Sequence, residues 1–216
     1  MDIELRHIQK KYEKIVLQDI NLKIDKNSFI TIVGDSGSGK STLMNILGLI
    51  ENFDNGDYIF NGKKLHHAKD YSDIRGTNIG FIFQAYHLIP TLTCRENIEL
   101  PLLYTSSNKN SSNNKDIIKE LKIEQLLDKK VNTLSGGEKQ RIAVARALVR
   151  NPGLIIADEP TGNLDDTNKW TVLKILKREH ERGRGVIIIT HDKELAKEAK
   201  TQYVLKEGKL EIKCLT

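Results

Sequence analysis

The sequence predicts an α/β fold: a core of alternating strands and helices interrupted by a helical insert. Three observations carry this reading. In the last third, strand-like apolar runs alternate with helix-like runs, the pattern of a parallel sheet. The first quarter reads as consecutive strands. Between them, residues from about Thr91 to Arg150 read as helical.

Taken in order, "DIELRHIQKKY" and "IVLQDINLKI" are predicted strands, and "SFITIVG" is a third that runs straight into a glycine loop. "STLMNILGLI" follows, with helix-forming residues and an apolar stripe. "DYIFNGKKL" reads as a hairpin turning at Asn61–Gly62, and "IGFIFQ" as a short buried strand. Within the helical stretch, "TSSNKNSSNNK" (Thr105 to Lys115) is low in complexity and is expected to be a mobile surface loop. Strand "LIIAD", helix "NKWTVLKILKREHER", strand "VIIIT" and helix "KELAKEAK" complete the alternation. "TQYVLKEGKLEI" closes the chain as a hairpin turning at Glu207–Gly208. No internal repeat is present.

Composition narrows the class. At 216 residues the chain can bury a proper core, and 38% hydrophobic with 29% charged residues fits a soluble globular protein. No apolar run approaches the ~20 residues of a membrane-spanning helix. The start, "MDIELRHIQKKYEK", is charged and carries no secretory h-region. Cys94 and Cys214 stand far apart, which argues against a disulfide framework and fits a reducing cytoplasm. The net charge of +5 raises nucleic acid as a partner, but lysines interleaved with acids, as in "KELAKEAK" and "KREHER", read as solvated faces. A modestly basic protein beside an anionic membrane surface would have the same composition.

The chemistry concentrates in three stretches. "GDSGSGKS", Gly34 to Ser41, fits G-x-x-x-x-G-K-[ST], with a predicted strand before it and a predicted helix from near Lys40. Glycines there let backbone amides wrap a β-phosphate, Lys40 reaches the β/γ oxygens, and the Ser41 hydroxyl can ligate Mg2+. "LIIADEP" puts Asp158 at the C-terminal end of an apolar strand, where α/β sheets bind ligands, with Glu159 next to polarise a water. Taken alone, those adjacent acids serve equally well as a helix cap for "TGNLDD". The third stretch is "TLSGGEKQR". Ser135 and Glu138 form a capping box, which needs no further function. Gly136 and Gly137 are unexplained by capping, since two glycines in a first helical turn cost stability. They make sense where a bulky anion must approach the backbone.

"LSGGEKQR" resembles the signature motif of ABC ATPases, and the motif order matches that family from about Ile3 to Ile212. In turn stand "GDSGSGKST" (Walker A), "FIFQ" (Q-loop), "LSGGE", "LIIADEP" (Walker B), "GNLD" (D-loop) and "ITHD" (H-loop). The resemblance implies a P-loop ABC-type ATPase of one domain over 1–216, with a mixed sheet core, an antiparallel β subdomain and a helical subdomain insert. About 1–90 and 151–216 would form the core with its β subdomain, and about 91–150 the helical subdomain. It implies ATP and Mg2+ as ligands. Nucleotide contacts fall to Gly34, Asp35, Ser36, Gly37, Ser38, Gly39, Lys40, Ser41 and Thr42. Metal contacts fall to Ser41, Gln84 and Asp158, and catalysis to Glu159, His191 and Lys40. Tyr12 stands where the family stacks an aromatic on adenine, although a strand tyrosine also packs without function. Ser135, Gly136, Gly137 and Asp165 would act across a head-to-tail dimer, where each signature helix start caps the γ-phosphate held by the partner's glycine loop.

"DEPTGNLD" with "GFIFQAYHLIPTLTCRENIELPLLY" looks most like the MacB/LolD-type subgroup. That implies a motor subunit on the inner face of the plasma membrane. It would work with a second copy of itself and a separate transmembrane permease, an adaptor protein being a further partner, and without nucleic acid. Richness in Lys, Asn and Ile points to an AT-rich genome and a Gram-positive source, and on that ground the expected role is export of peptides or bacteriocins, or resistance to antimicrobial peptides. The alternatives are FtsE-like signalling to cell-wall processes and LolD-like lipoprotein release.

Overall fold

The computed structural model describes residues 1–66, 70–104, 111–162 and 164–213. The chain runs through strands β1 (Ile3–Lys11), β2 (Ile15–Ile24) and β3 (Phe29–Val33), helix α1 (Lys40–Leu47), strands β4 (Asn55–Phe60) and β5 (Lys63–Leu65), helix α2 (Ser72–Asn78) and strand β6 (Ile79–Ile82). Helices α3 (Cys94–Glu99), α4 (Ser111–Glu120) and α5 (Gly136–Leu148) follow. Strand β7 (Leu154–Asp158), helix α6 (Asp166–Glu181), strand β8 (Gly185–Ile189), helix α7 (Lys193–Lys197) and the hairpin of β9 (Thr201–Lys206) and β10 (Lys209–Lys213) complete it.

Two sheets form among the described residues. One is antiparallel with the order β2-β1-β4-β5, and the other has the order β10-β9-β3-β8-β7-β6. In the second, β6, β7, β8, β3 and β9 run parallel and β10 alone is antiparallel. The predicted mixed α/β sheet with an antiparallel β unit is the one observed.

Apart from Thr31 in β3 and Asp158 at the end of β7, the central strands are apolar because both of their faces are covered. Their alternating side chains divide between two cores. Val186, Ile188, Ile155 and Ala157 point to the side packed by residues of α3, α4, α5 and α6, including Ile98, Ile117, Val144 and Leu176. Ile187, Ile189, Leu154 and Ile156 point to the side packed by Leu43, Met44, Ile46 and Leu47 of α1 and by the antiparallel sheet. The parallel strands therefore end together along one edge, and that edge carries the loops after β3, β7 and β8.

Several predicted elements differ in extent. Helix α1 stops at Leu47 rather than continuing to Ile50. Gly48 is packed so closely on Phe81 that a Cβ there would lie 2.1 Å from the ring, and Leu49 turns to φ 56°. Helix α2, "SDIRGTN", has no buried residue and so no apolar stripe for a periodicity reading to find. Of the predicted loop Thr105 to Lys115, residues 105–110 lie outside the described residues. Ser111–Lys115 form the first half of α4, and Ile117 and Leu121 bury that end of the chain in the helical core. A helix can start on polar residues when its next turn is anchored in this way. Cys94 is free and buried, and Cys214 lies outside the described residues. Among the described residues no helix is long and apolar enough to cross a membrane.

Candidate active site

The glycine loop spans the gap between β3 and α1. Gly37 (φ 78°) and Gly39 (φ 100°) take left-handed backbone conformations that L side chains rarely adopt. Gly39 is the N-cap of α1 and no side chain caps that helix start, so its first amides remain free toward the loop. A cavity of about 460 Å3 opens there. It is lined by Gly34, Ser36, Gly37, Gly39, Lys40, Ser41, Thr42, Gln84, Asp158, Glu159 and His191, with Val16 as an apolar wall. Side chains from the segments after β3, β6, β7 and β8 thus meet at the C-terminal edge of the parallel sheet.

Within this cavity Lys40 Nζ donates to the carbonyl oxygens of Gly34 (2.8 Å) and Asp35 (2.7 Å), folding the loop around its own ammonium. The Ser38 hydroxyl is buried and has no hydrogen-bond partner. Burial pushes the Asp158 carboxyl above its ordinary range, the neighbouring Glu159 charge adds to this, and Lys40 opposes it. Free helix-start amides and an ammonium fit a phosphate chain. A destabilised carboxylate beside Ser41 and Gln84 fits a hard divalent cation. Ser41, Gln84 and Asp158 line the same cavity, and phosphate oxygens and water would complete the coordination of a cation held there.

Register places Asp158 opposite Ile189, and the Glu159 amide donates to the Ile189 carbonyl (2.8 Å) at the end of that ladder. Glu159 itself has φ 44°. Its carboxylate accepts from the Thr190 hydroxyl (3.0 Å) and the His191 amide (2.9 Å), and His191 Nδ1 lies 2.6 Å from it. Thr190 was not foreseen as a site residue. It is fully buried at the end of an apolar strand and gives no signal in the sequence beyond its place in "ITHD".

The remaining expected residues lie apart from this cavity. Tyr12 lines a neighbouring one of about 640 Å3 with Lys10, Ile15 and Lys209. Its hydroxyl bonds Glu51, and Lys10 Nζ stands 5.1 Å from its ring centroid. Ser135 is the N-cap of α5 with the full capping box: its hydroxyl accepts from the Glu138 amide (3.3 Å), and its own amide donates to Glu138 Oε2 (2.8 Å). Gly137 has room for a Cβ, whose nearest neighbour would be Leu164 at 3.4 Å. Asp165 caps α6 by accepting from the Asn168 amide (2.8 Å), and Asn168 Oδ1 accepts from Arg141 of α5 (2.6 Å). The starts of α5 and α6 are thereby pinned together. Asn163, between them, lies outside the described residues.

The chain is similar to known proteins in sequence and in fold. The ABC transporter family profile matches residues 17–162. The chain is 41% identical over 217 aligned residues to the macrolide export ATP-binding/permease protein MacB of Pasteurella multocida, covering 96% of this chain and 33% of that protein. It therefore spans about a third of the length of that relative. The ABC transporter ATP-binding protein YvrO of Bacillus subtilis is 38% identical, with 96% of this chain and 95% of that protein covered. Among solved structures, the dimeric bacterial ABC transporter cassette MJ0796 matches with a TM-score of 0.87 and 38% identity, covering 97% of this chain and 96% of that one. A dimeric post-hydrolysis state of the same cassette, bound to ADP and Pi, gives 0.87 and 35%. With the family profile matched over more than half its length, this chain belongs to the ABC transporter family, as one of its ATPase cassettes.

Proposed function

We propose that this chain is the ATP-driven motor subunit of an exporter, working as a head-to-tail pair with a separate membrane permease. The observation that carries the reading is the single cavity holding Lys40, Ser41, Gln84, Asp158, Glu159 and His191 at one sheet edge.

The glycine-loop amides and Lys40 would bind the β- and γ-phosphates, with Lys40 exchanging the Gly34 and Asp35 carbonyls for phosphate oxygens. Ser41, Gln84 and Asp158 would hold Mg2+, which when bound neutralises charge building on the phosphate oxygens. Glu159 would orient the attacking water and accept its proton. His191 and Thr190 fix that carboxylate at one edge of the cavity.

Ser135 and Gly137 lie outside the cavity of their own chain, and the chain's internal packing does not require glycine at 137. Both facts support a role at the partner copy's nucleotide, as does the dimeric state of the solved relative MJ0796. Asp165 would stand at the same seam, and Tyr12 would supply the adenine contact.

A third cavity, of about 600 Å3, lies between α2, β6, the segment after it and the helical part of the chain. Phe81, Phe83, His87, Pro101, Tyr104 and Arg146 line it, and Leu103 and Tyr104 are 77% and 80% exposed beside it. It is the place where a permease's coupling helix would dock, bringing the chain to the inner membrane face. MacB, named as a macrolide export protein, supports export, and peptides or antimicrobial compounds are the proposed cargo class. The test is ATP turnover by the purified chain beside Lys40→Ala. Turnover lost in the variant supports the reading, and equal turnover contradicts it.

A further inference from the structure

Arg146 lies in the last turn of α5, the helix whose first turn carries Ser135, Gly136, Gly137 and Glu138. Its guanidinium reaches back across 60 residues of sequence. Nη2 donates to the Tyr86 carbonyl (2.5 Å), and Nη1 donates to the His87 carbonyl. Tyr86 and His87 both have left-handed φ, 59° and 47°, and neither is glycine. Two adjacent side-chain-bearing residues keep such a backbone only where surrounding contacts impose it.

The segment is closed on itself as a tight turn. The Tyr86 amide donates to the Phe83 carbonyl (3.0 Å), and the His87 amide to the Ala85 carbonyl (2.6 Å). The rings of Phe83 and His87 lie 4.8 Å apart. Gln84 is the second residue of that turn and lines the nucleotide cavity with Ser41 and Asp158.

We infer that Arg146 is a positioning residue for Gln84, its two-pronged guanidinium holding the left-handed turn that presents Gln84 to the cavity. A planar fork fixes two carbonyls in one orientation, which a lysine's point charge cannot do. Helix α5 then couples both ends of its length, about 20 Å at 1.5 Å per residue. A shift of its signature end relative to the sheet displaces Gln84 as well. What Gln84 touches rests on the function proposed above, whereas the geometry of the turn does not.

The test compares the full chain with Arg146→Lys and Arg146→Met by two measurements. The first is amide exchange without nucleotide. The second is Mn2+ affinity with ATP bound, in a Glu159→Gln background. Both variants should exchange at least about tenfold faster across residues 85–89, with α6 and β8 unchanged. Both should bind Mn2+ several-fold more weakly, while ATP affinity in EDTA stays at the parent value. Arg146→Lys matching the parent in exchange would overturn the inference, since charge alone would then suffice. So would a loosened turn with unchanged Mn2+ affinity, or faster exchange spread evenly through the chain. If Arg146→Met does not fold, Arg146→Lys carries both measurements. Failure of the proposed function itself appears elsewhere, as hydrolysis that survives Lys40→Ala.

Discussion

Glu159 and His191 form a pair in which one carboxylate oxygen, Glu159 Oε1, receives both the backbone amide and the ring Nδ1 of His191, at 2.9 and 2.6 Å. The two residues stand at the ends of adjacent parallel strands, so the sheet itself sets their spacing. Glu159 adopts a left-handed φ and the ring of His191 is largely exposed, so the pair is built at the rim of the cavity. His191→Ala keeps the backbone donor and removes only the ring. The expected result is a fall in kcat of about 10²–10³-fold with the KM for ATP little changed. A raised KM at unchanged kcat would mean that the ring serves binding instead.

Lys40→Ala removes the ammonium that joins the Gly34 and Asp35 carbonyls and would contact phosphate. Steady-state turnover should fall by about 10²-fold or more. The fold should survive, because the side chain supports only its own loop. Circular dichroism at parent strength beside lost turnover is the expected pair of observations.

Gly137→Asp tests whether the signature glycine serves another molecule. A Cβ at this position meets Leu164 at ordinary contact distance and the backbone is not left-handed, so the variant should fold and bind ATP normally. Hydrolysis should nevertheless fail, since an added carboxylate would face the partner's γ-phosphate. Equal hydrolysis at saturating ATP would confine the signature to helix capping.

The capping box makes a pH prediction. Hydrogen bonds from the Ser135 amide and hydroxyl hold the Glu138 carboxyl below its ordinary value of 4.5. A lowered acid contributes stability that is present above the unfolded-state value and is lost as pH falls through the folded one. Glu138→Gln keeps the hydrogen bonds and drops the charge at the start of α5. At pH 7 it should cost about 0.3–1 kcal/mol, or about 1–4 °C in Tm. That deficit should shrink below pH 4.5. A deficit independent of pH in thermal melts would show that the charge contributes nothing.

The glycine loop was legible because phosphate chemistry fixes local spacing, so it is read within a few residues. The acid pair at a strand end reads equally well as a helix cap, and a histidine after a strand as plain loop, so both were assigned through the order of the motifs. The hairpins at Asn61–Gly62 and Glu207–Gly208 were legible locally as well, and both occur where expected. Helix α2 was not, because it buries nothing and so carries no period. The start of α4 was masked by polar residues whose helicity depends on Ile117 one turn later. The contacts of Arg146 with Tyr86 and His87, of Thr190 with Glu159, and of Arg141 with Asn168 link residues 27 to 60 positions apart. Only the fold brings those pairs together. Tyr12 shows the converse: its position along the chain is readable, but the engagement of its ring with Lys10 and its hydroxyl with Glu51 is a property of neighbouring strands and loops.

If the start of α5 completes another copy's site, the solution mass of Glu159→Gln will depend on ATP. The carboxylate that would activate water is gone in this variant, so bound ATP should persist. Light scattering on a sizing column should give a monomer of 24.5 kDa without ATP and a dimer with it. Adding Gly137→Asp to the same chain should return it to monomer. A chain that binds ATP yet stays monomeric would contradict the account.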